Sequence, residues 1–197
     1  TSGAPRPALA DFAKQRGLRA YELGQWARFV GAPRLDLMST RAKLATSGLY
    51  GWRNAANSEA PIVVINTTDQ PISELATLVF PPKSVNLHPS PSAAVAVSWK
   101  SPVTGRVKLW GKVTDGHAVC GDGIAWSISS AGGKSPGEIA SGTIANGGAQ
   151  AFAEGTGGTK LASLDVITGE VIQLAILPKV DYSCDTTRVE LQIEGFD

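Results

Sequence analysis

Short segments in which apolar and polar residues alternate make up most of the chain after Gly48. In the clearest of them every second position is a large apolar residue, and the positions between are small or polar. A period of two is typical of a strand with one buried face. The alternation predicts strands over residues 61–66, 75–80, 84–88, 94–100, 106–113, 123–129, 138–144, 161–166, 171–177 and 188–193.

Turn-forming residues separate these segments, as in 101–105 (SPVTG) and 146–148 (NGG). Many short strands with turns and no helices between them favour an all-β sandwich or barrel, and a jelly-roll β-sandwich fits best. The inward positions should form the core. They are Val95, Val97, Trp99, Val107, Leu109, Val113, Ile124, Trp126, Ile128, Ile172, Leu174, Ile176, Val189, Leu191 and Ile193.

Residues 1–45 follow a different pattern. Apolar residues recur at helical spacing over 8–30, and Gly17 divides this stretch into two short helices. A third helical turn is predicted over 37–44. We therefore expect 1–45 to be a short helical lead-in and 46–197 to be the jelly-roll module. Because the lead-in is too small to hold a core, its apolar stripe must pack on the module or on a neighbouring domain.

Composition narrows the class of protein. With 197 residues, 43% of them hydrophobic and 18% charged, the chain suits one globular domain. The net charge of +1 and the lack of a basic run argue against a nucleic-acid partner. No apolar run reaches the roughly 18 residues that a membrane span needs. The opening TSGAPRP reads as a linker, so we expect a piece of a longer protein whose export signal lies upstream or has been removed.

The two cysteines, Cys120 and Cys184, suit one disulfide, although two unpaired buried thiols are the alternative. A disulfide would imply an oxidising compartment, and hence a secreted, periplasmic or cell-surface protein. It would also bring together four aspartates that flank the cysteines, namely Asp115, Asp122, Asp181 and Asp185. Such carboxylates suit a structural calcium ion. The other interpretation, that they only make turn hydrogen bonds, stays open.

Trp110 breaks the alternation, because it occupies a polar-face position between Lys108 and Lys112. An exposed indole can stack on a sugar ring, and neighbouring polar groups can bind hydroxyls. The predicted ligand-binding set is Trp110, Lys108, Lys112, Gln192 and Gln173. The alternative is that the helical lead-in covers this face.

Catalytic patterns are weak. The two histidines, His88 and His117, read as solvated loop residues without a nucleophile elbow. Glu190 and Glu194 lie about 13 Å apart along one strand, which is too far for a retaining glycosidase pair and marginal for an inverting one. We therefore expect a non-catalytic protein.

Five segments carry a family resemblance: 84–91 (SVNLHPSP), 95–105 (VAVSWKSPVTG), 120–126 (CGDGIAW), 145–150 (ANGGAQ) and 181–187 (DYSCDTT). Together with the stretch from 16–18 (RGL) to 26–30 (WARFV), they resemble a module of planctomycete-type cytochrome c domain proteins. The resemblance implies a large exported multi-domain parent with c-type haem domains. This chain has no Cys-x-x-Cys-His, so the haem part would lie elsewhere in that parent.

The sequence therefore predicts a carbohydrate-binding accessory module that tethers a larger exported protein to glycans. The competing hypothesis is a structural spacer or docking module for neighbouring haem domains, with no glycan ligand. No cofactor is predicted apart from the candidate calcium ion.

Overall fold

The computed structural model describes residues 38, 40–53, 60–74, 77–91, 93–134 and 136–196, and the helices predicted over 8–30 lie outside these ranges. The chain divides into two compact units, 1–37 and 38–197. The second unit has fourteen strands in the described ranges. They are β1 (Thr40–Lys43), β2 (Leu49–Arg53), β3 (Ile62–Asn66), β4 (Ile72–Glu74), β5 (Leu78–Phe80), β6 (Val85–His88), β7 (Val95–Lys100), β8 (Gly105–Asp115), β9 (Ile124–Ala131), β10 (Gly137–Thr143), β11 (Ala149–Ala151), β12 (Leu164–Val166), β13 (Val171–Pro178) and β14 (Thr187–Gly195).

The strand order is that of a jelly roll. One sheet contains β6, β14, β8 and β11 side by side, and the other contains β7, β13, β9 and β10 in the order β10-β9-β13-β7. All the pairings are antiparallel, and the chain crosses between the sheets at most of its connections. Strand β12 also pairs with β8. The predicted all-β sandwich is confirmed.

The sheet that contains β8 and β14 is extended at its β6 edge by β3, β2 and β1. The β4–β5 hairpin packs against this extension and closes a second, smaller apolar cluster of Leu49, Ile62, Val64, Leu78 and Phe80. The buried Asn66 amide holds the hairpin by donating to the backbone carbonyls of Gln70, Phe80 and Pro81 at 2.8–3.0 Å. The compact unit therefore contains a jelly roll and a small satellite core.

The main core lies between the two jelly-roll sheets. Every inward position predicted from the alternation is either buried in this core or packed against it. Trp126 is at its centre, where the indole Nε1 donates to Gln150 Oε1 at 2.8 Å and the ring lies 5.3 Å from the Phe152 ring. The alternation therefore assigned the faces of the long strands correctly.

Three short segments differ from the prediction. The helical turn over 37–44 is wrong, because Thr40–Lys43 pairs with β2 as a strand. The strand predicted over 75–80 is shorter, Leu78–Phe80, and forms a hairpin with the unpredicted β4. Within 161–166, the 3₁₀ helix Gly158–Ala162 precedes a strand of three residues. Segments this short are too brief for periodicity to define, so tertiary pairing decides their conformation.

Candidate functional site

The predicted sugar-binding residues on β8 and β14 form one outward-facing group. The register places Trp110 opposite Gln192, Lys108 opposite Glu194 and Lys112 opposite Glu190. Side chains of directly opposed residues share one face of a sheet, and here the other face is occupied by core residues such as Leu109 and Val189. We call this group of six residues, Lys108, Trp110, Lys112, Glu190, Gln192 and Glu194, the Trp110 face.

Trp110 is the only exposed tryptophan in the part of the chain that the structure describes, with 42% of its surface accessible. Three basic and two acidic side chains lie on this side of the sheet, Lys108, Lys112 and Arg188 against Glu190 and Glu194. Lys112 Nζ lies 3.5 Å from Glu190 Oε1, and Arg188 Nε lies 3.5 Å from the same oxygen. The Trp110 face therefore presents an apolar ring among polar groups whose charges largely cancel.

Gly111 positions Trp110 and was missed by the sequence analysis. Its φ of +140° is a conformation that side chains rarely adopt, and a β-carbon added there would lie 1.8 Å from the carbonyl oxygen of Glu190. Only glycine lets β8 approach β14 so closely at this point. The glycine between two outward residues of a strand was the available signal.

Phe196 extends the same side of the sheet and was also missed. It follows β14, is 49% exposed, and its ring lies 5.5 Å from the Arg106 guanidinium, at the end of β8. Its backbone N–H donates to the Arg106 carbonyl, which continues the β8–β14 register beyond Gly195. Continuing the period of two from Glu194 would have predicted it.

Gln173 does not belong to the Trp110 face. It lies in β13 of the opposite sheet, between the core residues Ile172 and Leu174, with Ser98 and Ser129 as its cross-strand neighbours. Its side chain therefore lies on the outer side of the other sheet. The prediction that grouped it with Trp110 was wrong because alternation identifies the face of a strand but not the sheet to which that strand belongs.

The disulfide between Cys120 and Cys184 is present, so the alternative of two unpaired thiols was wrong. It ties the loop after β8 to the loop before β14, across 64 residues of sequence. Asp122, Asp181 and Asp185 lie in these two loops and Asp115 is the last residue of β8; we call these four predicted aspartates the aspartate cluster.

Asp185 is the unusual member of the aspartate cluster. Its side chain is 1% exposed, and neither carboxylate oxygen has a hydrogen-bond partner. Burial, together with the negative charges of Asp122, Asp115 and Asp181, raises the pKa of Asp185 to about 7, although Lys179 opposes the shift. This carboxyl group therefore resists ionisation.

The side-chain carboxylates of the other three aspartates hold the loops by accepting hydrogen bonds from backbone N–H groups. Asp115 accepts hydrogen bonds from the N–H groups of His117 at 2.9 Å and Gly147 at 3.0 Å. Asp122 Oδ2 accepts from Val180 N at 3.0 Å, whereas its Oδ1 is buried without a partner. Asp181 is exposed, and hydrogen bonds from Ser183 lower its pKa. The turn-forming interpretation thus accounts for Asp115 and Asp181 but leaves Asp185 unexplained.

One group of three potential ligand residues converges within the described ranges. The ligand atoms of His117, Cys120 and Cys184 lie within 4.8 Å of one another. A thiolate is needed to bind a metal, and these sulfurs are joined in a disulfide. This group is therefore not a zinc site in the oxidised protein.

Both histidines differ from the expectation of solvated loop residues. His117 is buried, and its Nε2 lies 2.8 Å from Thr77 Oγ1. His88 is half-buried, with Nδ1 3.3 Å from Thr186 Oγ1. Burial and the proximity of His117 lower the pKa of His88. Both rings therefore contact neighbouring residues instead of lying free in solvent.

A comparison with protein-family models finds no match to the chain, and neither does a comparison with curated proteins. Within the described residues, no helix has the length and apolarity that crossing a membrane requires.

Proposed function

We propose that this chain is a non-catalytic carbohydrate-binding module of a larger exported protein, and that it binds sugar on the Trp110 face. The observation that carries the proposal is the exposed indole of Trp110 on a regular, outward sheet surface. Leaving so large an apolar ring in water sacrifices burial energy, roughly 25 cal/mol for each Å² that stays exposed. A ligand with an apolar face would recover that energy.

The charges around Trp110 favour a neutral ligand. Lys108 and Lys112 are opposed across the strands by Glu194 and Glu190, and Arg188 also lies 3.5 Å from Glu190, so the excess of positive charge is small. A phosphate or polyanion would require a larger excess of positive charge. The opposed Gln192 amide offers both a donor and an acceptor, as does a sugar hydroxyl. An uncharged pyranose with one apolar ring face matches this combination.

Export is supported by the disulfide between Cys120 and Cys184, which suits an oxidising compartment. We place the module in a parent protein of the planctomycete-type cytochrome c group on the segments of resemblance given above. A secreted, periplasmic or cell-surface location follows from the same two arguments.

The second candidate function is a spacer or docking module for neighbouring haem domains. It is favoured by the exposed apolar residues of the loops that the disulfide ties together. Val180 is 94% exposed, and Val119 and Tyr182 are exposed beside it in the same loops. Such side chains gain stability when a partner covers them.

A glycan-array screen of the 197-residue chain, followed by affinity measurement on the best ligand, tests the proposed function. Trp110→Ala should weaken binding at least about tenfold, the equivalent of 1.4 kcal/mol, because stacking on the indole is lost. The matched control is Tyr182→Ala, which removes an aromatic ring of similar exposure from the disulfide-tied loops. This variant should bind the glycan with unchanged affinity.

Absence of glycan binding by the wild-type chain would contradict the proposal and favour the docking module. Binding that survives Trp110→Ala but is lost in Tyr182→Ala would move the sugar site to the disulfide-tied loops.

A further inference from the structure

The Asp185 carboxylate has no partner that would justify its burial. Both oxygens are shielded from water and neither accepts a hydrogen bond in the structure. An uncompensated charge in such a position costs several kcal/mol, so buried carboxylates are normally paired, protonated or bound to a metal. Asp122 Oδ1 is likewise buried without a hydrogen-bond partner.

The charges around Asp185 are mainly negative. Asp122, Asp115 and Asp181 raise the pKa of Asp185, and only Lys179 opposes them. The Lys179 ammonium donates a hydrogen bond to the backbone carbonyl of Asp122, and the structure shows no hydrogen bond from it to the Asp185 carboxylate. The environment is therefore strongly negative around two carboxylate oxygens and a third from Asp122.

Backbone geometry brings a further oxygen to the same place. Gly121 has a φ of +90°, and a β-carbon built on it would lie 2.6 Å from the Ser183 carbonyl oxygen and 3.6 Å from Asp185 Oδ1. A side chain at position 121 would therefore occupy the space between the two loops. The adjacent Cys120–Cys184 disulfide holds the loops at this separation.

We propose that the disulfide-tied loops bind a calcium ion, with Asp185 as the central ligand, Asp122 Oδ1 as a second carboxylate ligand and the Ser183 carbonyl as a backbone ligand. These are hard oxygen donors of the kind that Ca²⁺ takes, and its six to eight positions are commonly completed by water. Asp115 and Asp181 contribute negative charge while their oxygens hold the turns.

Calcium is favoured over the other common ions by the donor chemistry. The two nearby sulfurs are oxidised and His117 Nε2 already contacts Thr77, so nitrogen and sulfur ligands for zinc are not offered. Magnesium demands a near-ideal octahedron at short distances, which loops with irregular spacing seldom provide. The inference rests on the aspartate cluster alone and does not depend on the proposed sugar site.

The test uses the 197-residue chain stripped with EDTA and then titrated with Ca²⁺, followed by calorimetry and by thermal unfolding. Saturating Ca²⁺ should raise Tm by several degrees, EDTA should reverse the rise, and Mg²⁺ at the same concentration should give a much smaller one. Tb³⁺, which replaces Ca²⁺ in oxygen sites, should show luminescence sensitised by the nearby Tyr182.

Asp185→Asn should abolish the Ca²⁺-dependent rise in Tm and the Tb³⁺ signal. Asp165→Asn, which alters an exposed carboxylate of β12, is the matched control and should respond like the wild type. Asp122→Asn provides a second variant if Asp185→Asn fails to fold, and should weaken Ca²⁺ binding at least about tenfold.

An unchanged Tm and no sensitised Tb³⁺ emission in the wild-type chain would overturn the proposal, and Asp185 would then be a neutral, protonated acid. A full Ca²⁺ response in folded Asp185→Asn would overturn it as well, by placing the ion elsewhere.

Discussion

Trp110 is an apolar side chain exposed to water, and Asp185 is an acidic side chain buried away from it. Neither placement is the one that folding stability alone favours. The indole is exposed on a regular sheet, and the carboxylate is buried without a partner. The outward position of Trp110 could be predicted because β8 keeps its period of two on both sides of it. The burial of Asp185 could not, since it depends on two loops that lie far apart in sequence and are brought together by folding.

Asp185 should give the metal-free protein a measurable pH dependence. The pKa of Asp185 is raised from 3.8 to about 7 in the folded state, so between these values the folded chain binds more protons than the unfolded chain. This group therefore stabilises the fold below about pH 4, and its contribution is lost as the pH rises to about 7. His88, whose lowered pKa acts in the opposite direction, titrates in an overlapping range.

Denaturant unfolding in EDTA, compared between the wild type and Asp185→Asn, isolates this contribution. The free energy of unfolding of the wild type should fall relative to that of the variant from about pH 4 to about pH 7, and the difference should then level off. Parallel stability curves across this range would show that Asp185 is not the titrating group.

Strand β8 is the element on which the account depends most. Alternate residues of β8 face the core and contribute to the Trp110 face, and the strand ends at Asp115 of the aspartate cluster. Its extent was predicted almost completely, because eleven residues are enough for the alternation to define a strand. Strands β1, β2, β4 and β11, of three to five residues each, were missed because so few residues do not define a period. Length therefore favoured the prediction of long strands, although the short β3 and β6 were also predicted.

Gly111→Ala tests how closely β8 must approach β14. The new β-carbon would collide with the Glu190 carbonyl, and the positive φ would add strain of about 1–3 kcal/mol. Thermal unfolding should show a clear fall in Tm, and affinity for any glycan bound at Trp110 should fall with it. Gly105→Ala in the same strand meets no atom within 4 Å and serves as the control. Equal Tm values for the two variants would contradict the packing described for Gly111.

At the scale of the whole molecule, the jelly roll could be predicted as a class because many alternating segments separated by turns leave few other solutions. The sequence did not reveal which strands are neighbours, and this is why Gln173 was assigned to the wrong surface. The described sandwich unit begins at Met38, earlier than the boundary expected at residue 46, because β1 adds to the sheet. Local sequence patterns therefore predict the fold class, but the residues that share one surface depend on which strands are neighbours.

Removing the disulfide tests the connection between the two loops that carry Asp122 and Asp185. Cys120→Ala combined with Cys184→Ala opens a link across 64 residues and should lower the free energy of unfolding by about 4 kcal/mol on the chain-entropy argument. Denaturant unfolding measures the loss, and reduction of the wild type should reproduce it. The same variant should bind Ca²⁺ more weakly, because the loops that carry Asp122 and Asp185 are no longer tied. Stability equal to that of the wild type would show that the sheets alone hold these loops.

The most direct test of the central claim is isothermal titration of the 197-residue chain and of Trp110→Ala with the neutral oligosaccharide that the array selects. We expect saturable binding by the wild type and at least an approximately tenfold loss of affinity in the variant, with both proteins equally folded. Equal affinity in the two proteins, or no neutral glycan bound by either, would contradict the claim that the Trp110 face is a sugar-binding surface.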